Sequence, residues 1–199
     1  LLKFKFIESI SIVEIDPLIV ALSTNHDSIV MANQNSLKNA KVKVIIDDAF
    51  RFLRTNSKKY DAIFIDFPYP NNFDLNRLYS LEFYTNVHQK LNEDGFVLLD
   101  APLYRSIDFV NPNDSNRIHT LYWTLKKSGF EFPFAFGVVE PFIFAFKKHQ
   151  PAQFNYHNNP KNIPNIIFVN LLEIGFLDPP KVFSDKLINS ALKPVPLNR

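Results

Sequence analysis

Residues 60–84, YDAIFIDFPYPNNFDLNRLYSLEFY, decide how the chain is read. The apolar run Ala62-Ile63-Phe64-Ile65 has the length and composition of a buried strand and stops on Asp66. Pro68 and Pro70 then forbid both a continued strand and an immediate helix. From Leu78 to Leu91 the pattern turns helical, with apolar Leu78, Leu81, Val87 and Leu91 and aromatic Phe83 and Tyr84. A strand, a loop opening on an acid and a helix are the parts of a βαβ unit. In open α/β sheets the carboxyl ends of the strands face the ligand.

The same grammar recurs on both sides. Ile10 to Asp16 is β-rich and closed by Pro17, a good first helical residue. Helical patterns at Leu18–Leu22 and Ile29–Leu37 flank a break at Asn25 to Ser28. Lys41 to Ile46 alternates as a strand, followed by Asp47-Asp48 and a helical stretch from Ala49 to Leu53. Downstream, Asp94-Gly95 reads as a turn into a strand over Phe96–Leu99, and Asn111 to Asn116 as a loop before a helix over Ile118–Lys127. Phe130–Phe136 and Pro141–Phe146 read as two antiparallel strands. Alternating strands and helices predict an α/β fold with a mostly parallel sheet. The closing antiparallel hairpin gives it the form of the Rossmann-like class I methyltransferase fold. Residues 1–148 are expected to form that domain. Residues 149–199 are expected to be a polar, proline-containing linker and a helical tail packed on it, with apolar groups at Ile166–Leu172 and Val182–Leu192.

Bulk composition excludes several classes. At 199 residues and 46% hydrophobic content the chain can bury one good core. A net charge of +2, with scattered Lys and Arg, does not predict nucleic-acid binding. The pair Lys147-Lys148 reads as a solvated strand end. The chain has no cysteine, so disulfides and thiolate metal sites are excluded, and a reducing, cytoplasmic setting is expected. No apolar run approaches the ~18 residues of a membrane span, and the five histidines lack ligand spacing, so no metal is expected. Only four glycines are present, Gly95, Gly129, Gly137 and Gly175.

Acids stand at the ends of the predicted strands: Glu14 and Asp16 at the first, Asp48 after the second, Asp66 at the third. One such acid is ordinarily a helix cap or a solvated loop residue. A set of them at equivalent points along one sheet edge suits a ligand rim. A carboxylate can accept two hydrogen bonds from ribose hydroxyls, another an adenine amino group, and carboxylates attract sulfonium and ammonium ligands.

The ordered set Val13-Glu14-Ile15-Asp16-Pro17, Asp48-Ala49-Phe50 with Phe52-Leu53, Tyr60 to Asp66, and Arg77-Leu78-Tyr79-Ser80-Leu81-Glu82-Phe83-Tyr84 resembles the spermidine synthase family of polyamine aminopropyltransferases, most of all its bacterial branch. The resemblance runs from Leu1 to about Lys148. It implies transfer of an aminopropyl group from decarboxylated S-adenosylmethionine, a co-substrate, to putrescine or a similar amine, giving spermidine and methylthioadenosine, with no prosthetic group. It implies that Glu14 binds the ribose and Asp48 the adenine amino group, with Asp16 and Ala49 also at the donor-binding site. Asp66 becomes the general base, and Tyr69, Tyr79 and Asp100 line the amine side. Tyr69 stands where the family usually has a second acid, and Asp100 stands where it often has a glutamine. Asp100 is therefore a candidate source of the displaced negative charge, although a buried, packing role is the commoner fate of a tyrosine such as Tyr79. Asp47 replaces a family glycine. The family's first strand with its glycine-rich turn, and its small N-terminal β-domain, are expected ahead of Leu1. Upstream membrane segments in the parent protein and assembly into dimers are also family habits. Two further readings are carried: an S-adenosylmethionine-dependent methyltransferase, and a degenerate, non-catalytic binding domain.

Overall fold

The structure is a computed structural model; it describes residues 1–68, 70, 72–100, 112–136, 142–148 and 190–191. The chain divides into two compact units, Leu1–Asn56 and Ser57–Arg199. Together the described elements give the mixed α/β pattern of a Rossmann-like methyltransferase fold.

In the first unit, strand β1 (Ile10–Glu14) pairs in parallel with β2 (Val42–Ile46), in register from Ile10↔Val42 to Glu14↔Ile46. Between them run helices α1 (Pro17–Asn25) and α2 (Asp27–Ala32) and a 3-10 turn, Ser36–Lys38. Helix α3 (Ala49–Thr55) follows β2. The helical pattern expected to run on to Leu37 breaks at Gln34 and Asn35, whose φ angles are 55° and 53°. Both sit in the left-handed region, which Asn tolerates better than most residues. Packing here is thin. Leu53, 6% exposed, is the one buried apolar side chain of the unit, and no residue of α1 is buried.

The second unit holds a four-stranded sheet in the order β3-β4-β6-β5. Strand β3 (Tyr60–Ile65) lies parallel to β4 (Leu91–Asp100), while β6 (Phe142–Phe146) is antiparallel to both β4 and β5 (Phe132–Phe136). The antiparallel closing hairpin is therefore present as expected. Between β3 and β4 come the short helix α4 (Phe73–Asn76), a 3-10 turn (Arg77–Tyr79) and helix α5 (Leu81–Lys90). Helix α6 (Pro112–Lys127) precedes the hairpin.

Three boundaries differ from the sequence expectation. The helix expected from Leu78 starts at Leu81, because Ser80 turns extended and its Oγ accepts the Phe83 N–H at 3.3 Å as an N-cap. The turn expected at Asp94-Gly95 is a bulge inside β4: pairing jumps from Tyr60↔Leu91 to Ala62↔Phe96. Asn92 Nδ2 donates to Asp61 Oδ1 across it at 2.7 Å. The loop expected over Asn111–Asn116 is mostly helix, α6 opening on Pro112, whose fixed φ suits a first helical turn.

The core of this unit is aromatic and dense. Tyr79, Phe83, Tyr84, Val87 and Leu91 are buried, as are Val97 and Leu99 of β4, Leu121 and Leu125 of α6, and Ile143 of β6. Each is worth about 1.5–3 kcal/mol of burial. Gly129, at φ 110°, closes α6 with the His88 ring about 3.1 Å from where a Cβ would stand. Among the described residues no helix is long and apolar enough to cross a membrane. Apart from Ser190 and Ala191, the expected linker and tail lie outside the described residues, as does Tyr69.

Candidate active site

The first unit presents its acids where β1 and β2 end. Glu14 is the last residue of β1, and its Oε1 accepts the backbone N–H of Asp16 at 2.8 Å. Asp16 caps α1 by accepting Leu18 N–H at 2.8 Å, ahead of Pro17 at the first helical position. Asp48 caps α3 by accepting Arg51 N–H at 2.8 Å, with Ala49 as the first helical residue behind it. Both aspartates therefore do the ordinary work of a strand-to-helix junction. Capping occupies one carboxylate oxygen of each, and a carboxylate offers about four lone-pair sites, so capping and ligand binding are compatible. The positive ends of α1 and α3 add a field that favours negative charge there. Asp47 N–H donates to Glu14 O at 3.0 Å, and the Asp47 carboxylate pairs with Arg51, so the residue in place of the family glycine is tied to the helix behind it.

Asp66 belongs to the second unit. Among the described residues β1 pairs with β2 in the first unit, and the parallel hydrogen-bonded neighbour of β3 in the second is β4. Strands that follow one another in the chain need not be neighbours when a crossover intervenes. The consequence is that Asp66 gains Asp100 as its rim partner. Ile65, the last residue of β3, is in register with Leu99, so Asp66 just past that strand and Asp100 at the end of β4 stand at neighbouring strand ends, and paired strands run about 4.8 Å apart. Asp66 is exposed and Asp100 half-buried.

Tyr79 joins them from below. Its side chain is 1% exposed, and its hydroxyl donates to the carbonyls of Phe67 and Pro68, each at 3.2 Å. Those are the two residues after Asp66. Burial above all, then the charges of Asp100 and Asp66, push the phenol above the ordinary tyrosine range; it stays protonated, a fixed donor rather than a proton carrier. Phe67 packs edge-on against the Tyr79 ring at 6.2 Å and the Phe83 ring at 5.4 Å. The loop that carries Asp66 is thus fastened through backbone and side chain to the α5 region. Tyr79, expected to line the amine side, is buried and bonded to the two carbonyls that follow Asp66.

Two features carry no signal in the sequence alone. Glu82, on the first turn of α5, accepts Ser190 Oγ–H at 2.7 Å and Ala191 N–H at 2.8 Å. Lys147, read as solvated, is 7% exposed; its Nζ donates to Leu91 O and Glu93 Oε1, both at 3.0 Å, and Lys148 pairs with the same Glu93. This cluster clamps the β4 bulge. Among the described residues no group of three metal-ligating side chains gathers.

The chain is similar to known proteins along much of its length. The family model described as the spermine/spermidine synthase domain matches residues 1–111. A polyamine aminopropyltransferase from Oceanobacillus iheyensis is 37% identical over 127 residues, 64% of this chain and 23% of its own length. One from Leptospira interrogans is 40% identical over 106 residues, 52% of this chain and 21% of its own length. The chain thus spans under a quarter of either relative. In three dimensions, a spermidine synthase from Thermotoga maritima superposes with a TM-score of 0.58 at 18% identity, over 76% of this chain and 50% of that one. A spermidine synthase in complex with the transition state analogue AdoDATO superposes at 0.61, again at 18% identity and the same coverage. These likenesses establish the fold.

Proposed function

Because the chain belongs to the spermine/spermidine synthase family, we propose that its parent protein is a polyamine aminopropyltransferase. In this reading it moves an aminopropyl group from decarboxylated S-adenosylmethionine to putrescine or a similar amine. The observation that carries the reading is the Asp66–Asp100 pair at the ends of β3 and β4, with Tyr79 holding the loop between Asp66 and α5. Two carboxylates side by side attract a cationic amine and leave it a proton acceptor.

Asp66 acts as general base. A protonated amine has no lone pair for attack, so a carboxylate must orient the ammonium and take its proton. The nitrogen then forms a bond to the carbon beside the sulfonium. The carbon–sulfur bond breaks, its electron pair goes to sulfur, and neutral methylthioadenosine leaves. Catalysis is mostly positioning, and for oriented groups that supplies several kcal/mol of the barrier. Asp100 supplies negative charge on the amine side, and Tyr69 occupies the loop position where the family's second acid would stand. Glu14 and Asp16 take the ribose; Asp48 and Ala49 take the adenine end. The partners are these small molecules and a second copy of the chain. The cysteine-free composition supports a cytoplasmic setting. Residues 1–148 are the catalytic domain of this reading and 149–199 its linker and tail.

The test is release of methylthioadenosine by the full-length protein given putrescine and the decarboxylated donor. Stoichiometric spermidine supports the reading. Turnover of S-adenosylmethionine with methyl transfer, or tight donor binding without any product, overturns it.

A further inference from the structure

We propose that the C-terminal segment at Ser190–Ala191 is a positioning element for the Asp66 loop, acting through Glu82 and the turn that ends in Tyr79. The role assigned to Asp66 rests on the aminopropyltransferase reading; the mechanical link does not.

The link is a chain of contacts. Ser190 Oγ–H and Ala191 N–H donate to the two different oxygens of the Glu82 carboxylate, at 2.7 and 2.8 Å. These residues are 108 and 109 positions from Glu82 in the sequence. An acid on the first turn of a helix needs no such partner, because the helix N-terminus already favours it. Glu82 stands two residues after Ser80, the N-cap of α5, whose Oγ accepts Phe83 N–H at 3.3 Å. Glu82 therefore ties the C-terminal segment to the first turn of α5, directly behind its cap. Burial raises the Glu82 carboxyl, but the bonds from Ala191, Ser190, its own N–H and Ser80 outweigh it and hold the group below the usual carboxylate range. It stays ionised and able to accept all of them.

Each neighbour of this node touches the loop. Tyr79, adjacent to Ser80, donates to Phe67 O and Pro68 O. Phe83, adjacent to Glu82, packs edge-on against Phe67 at 5.4 Å. The residue following Asp66 is thus gripped through its carbonyl and its ring by the two residues that flank Ser80 and Glu82. Loosening the Glu82 node frees both grips at once, while the buried contacts of Val87, Leu91 and the sheet remain.

The experiment compares Ser190→Ala, Ser190→Thr and Glu82→Ala in the full-length protein by hydrogen exchange and by steady-state kinetics. In Ser190→Ala and Glu82→Ala, exchange of the peptide spanning residues 66–75 is expected to rise about tenfold while β4 and β6 stay protected. The kcat is expected to fall about fivefold with the donor KM unchanged. Ser190→Thr, which keeps the hydroxyl, restores both. Unchanged exchange at 66–75 in Ser190→Ala and Glu82→Ala, or a rise there matched by an equal rise in β4 and β6, overturns the proposal, because a merely structural contact predicts one of those. Should Glu82→Ala not fold, Ser190→Ala decides alone. A loop that loosens as expected in a protein without aminopropyl transfer keeps the link and overturns the reaction.

Discussion

Asp48 and Asp66 both follow a parallel strand, yet the two units hold them by different means. Asp48 is fixed by a backbone bond at the start of α3, within a unit whose one buried apolar side chain is Leu53. Among the described residues Asp66 caps no helix; it stands on a loop moored to a core in which Tyr79, Phe83, Tyr84 and Val87 are all 1% exposed or less. One acid is positioned by local hydrogen bonding, the other by packing at a distance. A two-stranded sheet with little cover is marginal by itself, whereas a four-stranded sheet with aromatic packing is not. Local positioning survives thin packing because a cap needs only its own helix. Packing at a distance needs the whole core.

The sharpest test exchanges charge for shape at Asp66. Asp66→Asn keeps the volume and removes the base, so kcat for aminopropyl transfer should fall about a thousandfold. The urea midpoint should not move, since the residue is exposed. A fall in both would mean that Asp66 is structural. Next comes the core contrast. Phe83→Ala should cost about 3 kcal/mol in urea unfolding, as a buried aromatic does. Leu18→Ala on α1, whose side chain is 70% exposed, should stay within about 0.5 kcal/mol. Equal costs at the two positions would erase the distinction between the units.

What could be read from the sequence follows the same division. Strand ends were legible because apolar runs such as Ala62 to Ile65 stop on an acid, and Pro17 announces α1. The acids Glu14, Asp16, Asp48 and Asp66 were legible for the same reason. Local grammar fails where a distant partner decides. Leu78 and Leu81 share helical spacing, so the cap at Ser80 hid inside the pattern. Lys147 reads as surface because lysine is rarely buried; its burial depends on the β4 bulge that brings Leu91 O and Glu93 to it. Glu82 looked like any first-turn acid, since Ser190 lies 108 residues away. Asp100 was named beside Asp66 only through the family resemblance, because the strand order that sets β3 against β4 is encoded in no single strand.

Asp48 allows a finer cut, because capping and ligand binding ask for different chemistry. Asn caps about as well as Asp, so Asp48→Asn should leave thermal unfolding unchanged while weakening donor binding about tenfold, or about 1.4 kcal/mol. Asp48→Ala should lose the same affinity and about 1 kcal/mol of stability as well. Calorimetry of donor binding beside thermal unfolding separates the two, and an Asp48→Asn variant with full affinity would leave the residue a cap alone.

The smallest expected effect tests the clamp of the second unit. Glu93 is drawn from 4.5 down to about 2 by its bonds to Lys148 and Lys147. A carboxyl depressed by folding contributes stability in full above its unfolded value and loses it as pH falls through the folded one. The contribution should therefore be present above about pH 4.5 and fade toward pH 2. Glu93→Gln should flatten the urea midpoint across that interval, and added salt should mimic part of the change, because the carboxylate is solvent-exposed and such pairs are screened. Lys147 sets the outcome apart from an ordinary surface pair. With Glu93 neutral, its ammonium stays buried against Leu91 O without its counter-charge, so acid should loosen the β4 bulge while the Tyr79 grip on the Asp66 loop holds. Hydrogen exchange at Asn92–Gly95 that rises in acid ahead of exchange at 66–75 would show the two ends of β4 to be independently anchored.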